Sequence, residues 1–226
     1  MRTEAGRPFE ASEPVARPSS GHGFGRTLLE LTWLFLRHPV RGADAIGADP
    51  RALALGAAFL LIGLATYALV AARIYALGHH PPTTPITLIR ATDWYAVQSL
   101  ITVPVGFVAA FAFSGIAYAI CRAFGGRGTF DATFGASAFS LHLPMLIMMW
   151  LPEILIAPRL YAGTAPVLPW PSWIELLRIF LIPLPWAGVV STLALARIHR
   201  LSWYRASVAV FIGALPTSLV TAAFLR

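Results

Sequence analysis

The stretch ALALGAAFLLIGLATYALVAA, residues 52–72, runs for 21 positions without a charge and is closed by Arg51 and Arg73. A helix needs about 20 apolar residues to cross the ~30 Å hydrocarbon core of a bilayer. A strand of a membrane barrel would instead alternate polar and apolar residues over about ten positions. This stretch does not alternate, so it predicts a transmembrane helix. Four more charge-free windows follow: 94–121 between Asp93 and Arg122, 132–152 between Asp131 and Glu153, 179–196 between Arg178 and Arg197, and 206–225 between Arg205 and Arg226. The spans expected from them are about 52–72, 98–121, 134–156, 174–196 and 205–225. The expected fold class is all-α: a polytopic membrane protein whose five transmembrane helices occupy residues 49–226.

Composition agrees. Of 226 residues, 57% are hydrophobic and 12% charged, and the mean hydropathy is +0.69. A soluble domain carries about 25% charged residues, and a globule of this size keeps much of its surface in water. An ordinary soluble enzyme is thereby excluded. All 17 basic residues are Arg. With the abundant Ala, this suggests a GC-rich bacterial genome, and so a bacterial inner (plasma) membrane. The single Cys, Cys121, excludes an internal disulfide framework and a zinc site of several thiolates.

Outside the spans, residues 1–23 are polar and rich in Pro, Gly and Ser, which predicts a disordered cytoplasmic tail. Residues 74–89 and 160–174 each hold three prolines and predict loops. Residues 24–48 predict an amphipathic interfacial helical segment. Arg26, Glu30, Arg37 and Arg41 recur on one side of it and Phe24, Leu28, Leu31 and Phe35 on the other, with Trp33 as an interfacial anchor. Two placements stay open: on lipid, or packed on the protein's own cytoplasmic face. Asp49-Pro50 predicts the start of the first span, with Asp49 as N-cap.

Arginine is retained on the cytoplasmic side of a membrane protein. In a five-span reading, the N-terminal segment and the second and fourth loops carry 12 Arg, and the opposite side carries 4. This predicts a cytoplasmic N-terminus and an extracytoplasmic C-terminus. Trp94, Tyr95, Trp150, Trp170 and Trp173 then mark the outer interface, and Trp33, Trp203 and Tyr204 the inner one.

The link between the second and third spans reads CRAFGGRGTFDATFGASAFSLHLP, residues 121–144. Its glycines allow a tight left-handed turn that ends one helix, with the positive φ expected at Gly126 or Gly128, and Thr129 is placed to cap the next helix. The link resembles the Yip family of small multi-pass membrane proteins, whose domain carries a Gly-Gly-x-Gly-[Ser/Thr]-Phe turn before a Pro-containing span. The matching residues are Gly125, Gly126, Gly128, Thr129, Phe130 and Pro144. The upstream LRHPVRGADAIGADPRALALG, residues 36–56, is similar to the family's lead-in to its first span. The resemblance covers about residues 28–222. It implies a polytopic fold and a partner-binding role, and no catalysis.

No residue constellation points to chemistry. His22, His38, His79, His80, His142 and His199 show no metalloprotease spacing. The His79-His80 pair lies in a Pro-flanked loop, where adjacent side chains seldom converge on one metal. His142 reads as a span histidine bonded to a carbonyl freed by Pro144, with a proton relay as the alternative. Met145, Met148 and Met149 read as packing residues. Pro104, Pro144, Pro152, Pro183, Pro185 and Pro216 interrupt spans, which favours a transporter cavity; Ala109, Ala112 and Gly115 favour close helix packing. Glu153, Glu175 and Arg178 are the charges at the edges of the third and fourth spans. They are read as an outer-leaflet ion-pair group, or alternatively as a site for an anionic headgroup or transported ion. The function expected is that of a non-catalytic scaffold or membrane-organising partner; the alternative is a small transporter or permease subunit. No catalytic, cofactor or metal residues are assigned. The partners expected are the lipid bilayer and a membrane protein or second copy, with no nucleic acid.

Overall fold

The computed structural model describes residues 23–78, 89–152, 155 and 172–224. The expected N-terminal tail, the two Pro-rich loops, the His79-His80 pair and Glu153 lie outside the described residues, apart from the ends of the segments. The described residues are helical with no strand. In chain order the helices are α1 (Phe24–Arg37), α2 (Pro39–Ala48), α3 (Ala52–Ala76), α4 (Trp94–Ala123), α5 (Phe130–Met145), α6 (Ser172–Leu176), α7 (Pro183–His199) and α8 (Trp203–Phe224). A 3₁₀ turn, Ala91–Asp93, leads into α4. Two π-helical segments complete the set: Leu146–Trp150 continues α5, and Leu177–Leu181 joins α6 to α7.

Three helices among the described residues are long and apolar enough to cross a membrane: Ala52–Ala76, Ala91–Ala123 and Trp203–Val220. The third and fourth windows of the sequence are not uninterrupted α-helices. In each, the α-helix adjoins a π segment beside a proline: Pro144 lies two residues before Leu146, and Pro183 two after Leu181. Proline lacks an N–H and crowds the preceding turn, which disturbs the regular ladder. Pro104 and Pro216, by contrast, sit inside unbroken α4 and α8.

Helix α5 is the middle of the bundle. Eleven of its 16 residues are buried, from Ala132 to Pro144, enclosed by α2, α3, α4 and α7. Helices in lipid gain no hydrophobic drive from meeting each other, so association rests on close packing and hydrogen bonds. Small residues supply the approach. A Cβ on Gly56 of α3 would lie 2.7 Å from Cα of Gly135 in α5, and one on Gly63 would lie 2.6 Å from the Trp150 ring. The small residues singled out on α4 behave differently: Ala109 is buried, whereas Ala112 is exposed and a Cβ on Gly115 would meet nothing within 4 Å. The close contact on α4 is Gly106 against Leu64.

Residues 24–48 form a two-helix hairpin against this bundle. Leu31 and Phe35 of α1 join Ala43 and Ile46 of α2, Leu55 and Phe59 of α3, and Phe139 of α5 in one apolar core. The Phe139 ring stacks on Phe35 at 5.2 Å and on Phe59 at 4.4 Å. The face of α1 bearing Leu31 and Phe35 therefore packs on the protein. Asp44 of α2 clamps Arg197 at the end of α7 through two bonds, of 3.1 and 2.8 Å. The regular helix begins at Ala52, and the Asp49 carboxylate accepts from the Arg51 amide two residues on, at 2.8 Å, the bond an N-cap makes, and from the Arg51 guanidinium, which holds its carboxyl below the usual range.

Candidate functional site

Buried polar side chains line a seam between α5 and α7, with others, Gln98, Thr102 and Ser114, on α4. Thr133, Ser137 and Ser140 follow one another at i, i+4 and i+7, so they share a face of α5. Thr133 meets His199, with Oγ1 2.8 Å from Nε2, and Ser140 meets Ser191, hydroxyl to hydroxyl at 2.8 Å. Further along, Arg178 donates from Nη1 to the carbonyl of Met148 at 3.2 Å. The three rungs climb one strand of the seam while descending the other, as expected of antiparallel helices. Ser137 Oγ, between the first two rungs, is buried without a hydrogen-bond partner among the described residues.

The Thr133–His199 rung, the inner one in the orientation expected from the arginine count, with the Arg178 rung the outer one, is built by the Gly-rich turn. Helix α4 ends in a Schellman motif: Gly125 takes φ 84°, its N–H donates to Arg122 O, and the Gly126 N–H donates to Cys121 O at 2.8 Å. The left-handed residue is thus Gly125, not Gly126 or Gly128 as the sequence suggested. Those two glycines serve close approach. A Cβ on Gly126 would lie 2.6 Å from Cys121 O and 2.8 Å from His199 Nδ1, and one on Gly128 would lie 2.6 Å from the Ile198 side chain. Between them, the Arg127 N–H donates to His199 O at 3.1 Å, and Arg122 donates to Gly126 O at 2.9 Å. Thr129 then caps α5, its hydroxyl accepting from the Ala132 N–H.

His199 is completely buried at this junction. The Thr133 hydroxyl proton goes to Thr129 O at 2.7 Å. The imidazole therefore donates from Nε2, which leaves Nδ1 as the lone-pair nitrogen. Nδ1 has no hydrogen-bond partner among the described residues. Burial, joined by the nearby Arg122 charge, pushes the His199 pKa down to about 4. The ring is neutral near pH 7 and acts as a wedge between two helix ends. Helix α7 itself closes in a second Schellman motif. Here Arg200, at φ 55°, occupies the left-handed position that glycine usually fills, and Leu201 N–H reaches Ala196 O at 3.0 Å. A side chain in that conformation costs roughly 1–2 kcal/mol.

The outer rung is looser. Both partners lie in π segments, whose ladders close with Leu151 N–H on Leu146 O and Ile182 N–H on Leu177 O. Such turns widen the helix and recur at functional sites. Arg178 is buried. Glu175 belongs to α6, so the three-residue step to Arg178 passes from α to π geometry; only its backbone is described. The signal for the Met148 carbonyl was in the sequence: Pro152, four residues on, has no N–H to offer it, which leaves that carbonyl open to a side-chain donor. His142 bonds through Nδ1 to Ala138 O at 3.1 Å, and not to the Ser140 carbonyl that Pro144 frees. Met145 packs against the Leu60, Leu64 and Trp150 cluster. No group of three or more His, Cys, Asp or Glu able to hold a metal occurs among the described residues.

A family model described as the Yip1 domain matches residues 33–225, which takes in the hairpin from Trp33 onward, the Gly-rich turn and both ends of the seam. No curated protein and no solved structure matches the chain.

Proposed function

The chain belongs to the Yip1-domain family, and from that premise we propose a five-span protein of the bacterial inner membrane that acts, without catalysis, as a scaffold or membrane-organising partner. Its N-terminus is cytoplasmic and its C-terminus extracytoplasmic. The Arg asymmetry of the loops supports this orientation, and the antiparallel pairing of α5 with α7, inside a frame of three membrane-length helices, supports two further crossings. One observation carries the non-catalytic reading: the buried polar groups hold helices together. His199 binds Thr133, Ser140 binds Ser191, and Arg178 binds the Met148 carbonyl. The partner is a membrane protein or a second copy of the chain, within the bilayer.

Reporter fusions test the topology. Fusions after residues 85 and 165 are expected to be active only outside the cytoplasm, and those after residues 127 and 201 only inside. A cytoplasmic signal at residue 165 would remove the five-span reading.

The facing π segments favour a second reading, a small transporter or permease subunit with an outer-leaflet charged site at Glu153, Glu175 and Arg178. Purified protein in vesicles separates the two. The scaffold reading expects no ion or solute flux and a discrete partner trapped by a photocrosslinker at the exposed Tyr204. A flux abolished by Arg178→Gln would overturn it.

A further inference from the structure

Four exposed arginines, Arg122, Arg127, Arg200 and Arg205, meet where the α4–α5 and α7–α8 links touch. Hydrogen bonds fix the meeting. Arg122 Nη1 donates to Gly126 O at 2.9 Å, and Arg205 Nη1, from the first turn of α8, donates to Phe124 O at 3.3 Å. The two guanidinium groups therefore sit on carbonyls two residues apart. The Arg127 N–H donates to His199 O, on the peptide that His199 shares with Arg200. Arg200 is the one non-glycine residue at positive φ among the described residues. Glycine would sit there without strain, yet the chain holds an arginine in the position, and strained residues of this kind collect at functional sites.

The fold does not balance this charge. None of the four has an ion-pair partner among the described residues. Of the carboxylates on neighbouring elements, Asp44 is taken by Arg197, Asp49 by Arg51, and Asp131 lines a cleft with Ala48 and Pro50. Depth follows from the register of α4 against α8. A Cβ on Gly213 of α8 would lie 3.3 Å from the Phe113 ring of α4. Arg205 stands eight residues, about 12 Å, from Gly213, and Arg122 nine residues, about 14 Å, from Phe113, both toward the turn. The two charges thus share one level, at the mouth of the membrane-length stretch Trp203–Val220. Trp203 and Tyr204, both exposed, mark that level as the headgroup region. Ile212 and Leu219 follow Arg205 at i+7 and i+14. They lie on its face of α8, deeper in the membrane, and both are exposed.

We propose that the joined turns are a binding site for an anionic phospholipid of the cytoplasmic leaflet. The headgroup phosphate sits at Arg122 and Arg205, within the positive field of Arg127 and Arg200, and an acyl chain runs from there into the membrane along Ile212 and Leu219. Headgroup and chain then follow the order that a leaflet imposes, and the planar guanidinium fork matches a phosphate with two donors at once. The assignment to the cytoplasmic leaflet rests on the orientation proposed above; the site itself does not.

The test uses the full chain in nanodiscs of phosphatidylcholine mixed with phosphatidylglycerol. These leave both membrane faces open, so the outcome is independent of orientation and the reporter fusions fail or succeed separately. The purified protein is expected to retain phosphatidylglycerol preferentially. Removing Arg122 would also loosen the turn that it closes, so the test variant is Arg200→Gly with Arg205→Gln. Both positions are exposed and glycine relaxes the left-handed residue. The melting temperature is therefore expected to hold or rise while the preference falls about fivefold per arginine. Arg37→Gln with Arg41→Gln removes the same charge from exposed positions outside the turns and should leave the preference unchanged. In the parent chain, phosphatidylglycerol with a diazirine in its acyl chain should label α8 between residues 205 and 219. Unchanged retention in the turn variant overturns the proposal, as does an equal fall in the Arg37 and Arg41 variant, which would reduce the effect to net charge. Labelling spread evenly over α3, α4 and α8 overturns it too. So does a parent chain with no preference, which would leave the arginines to an acidic protein.

Discussion

The two ends of the α5–α7 seam join the same pair of helices by different means. At the inner end, backbone shape does the work: two adjacent Schellman motifs, glycines that admit a neighbouring chain, and a neutral buried imidazole between them. At the outer end, both helices widen into π turns, and a long cationic side chain spans the gap to a carbonyl. Where lipid gives helices no hydrophobic reason to meet, one end is closed by removing side chains and the other by extending one. The inner end should tolerate almost no added volume, and the outer end almost no change of charge.

Added volume at the inner turn should have the largest effect. Valine at both Gly126 and Gly128 would drive side chains into Cys121 O, the His199 ring and Ile198. Overpacking of this kind costs roughly 1–3 kcal/mol per site, and a backbone oxygen cannot swing aside. The double variant is expected to leave little folded protein in the membrane. Gly188→Ala in α7, where a Cβ meets nothing within 4 Å, is the control and should leave the melting temperature unchanged or slightly raised. Equal yields from the two variants would show that the turn is not a close-approach device, and the contrast between the ends would be lost.

Charge reversal at the outer end comes next. Arg178→Glu would place a carboxylate against the Met148 carbonyl. Breaking a buried charged contact from one side costs about 3–5 kcal/mol in well-packed proteins, less where the wider π turns let water relieve it. Thermal unfolding in detergent should show the loss, and Glu153→Arg on the same chain should recover much of it. If stability holds while a cellular phenotype disappears in both the single and the double variant, the outer end is a ligand site and the transporter reading gains.

How much of this was legible beforehand varies along the chain. The charge-free runs that become α3, α4 and α8 are visible because lipid imposes a length and a polarity together. The Gly-rich turn was visible as a motif, but its partner was not: His199 lies 71 residues beyond Gly128, and no local pattern reports that separation. The glycine that bends was misplaced for a related reason. Helix-end geometry depends on where the ladder of α4 stops, and that is set by tertiary contacts around Phe124 and Arg127. On α1 the polar strip is narrow, so two faces read as apolar, and periodicity cannot say which one the bundle takes. The π turns left only an indirect trace, in the prolines beside them, since Pro104 and Pro216 produce no such turn.

The smallest effect expected, and the finest probe of the inner end, is its dependence on pH. His199 is held neutral in the fold, with its pKa lowered from 6.5 to about 4 by burial and by Arg122. The unfolded chain binds the proton more readily than the native one. The contribution of the neutral ring is therefore fully present above about pH 6.5 and is lost as pH falls toward about 4. His199→Gln keeps a donor where Nε2 stands, so its side-chain amide can still serve the Thr133 hydroxyl, but it does not titrate. Melting temperature measured from pH 7 down to pH 5 should fall for the parent chain and fall less for the variant, with the two curves closest at the acid end. The two chains differ at residue 199 alone, so the difference between the curves belongs to that side chain. Parallel curves would mean that Nδ1 is reached by solvent, and that the inner end is not the dry, shape-closed junction that distinguishes it from the outer one.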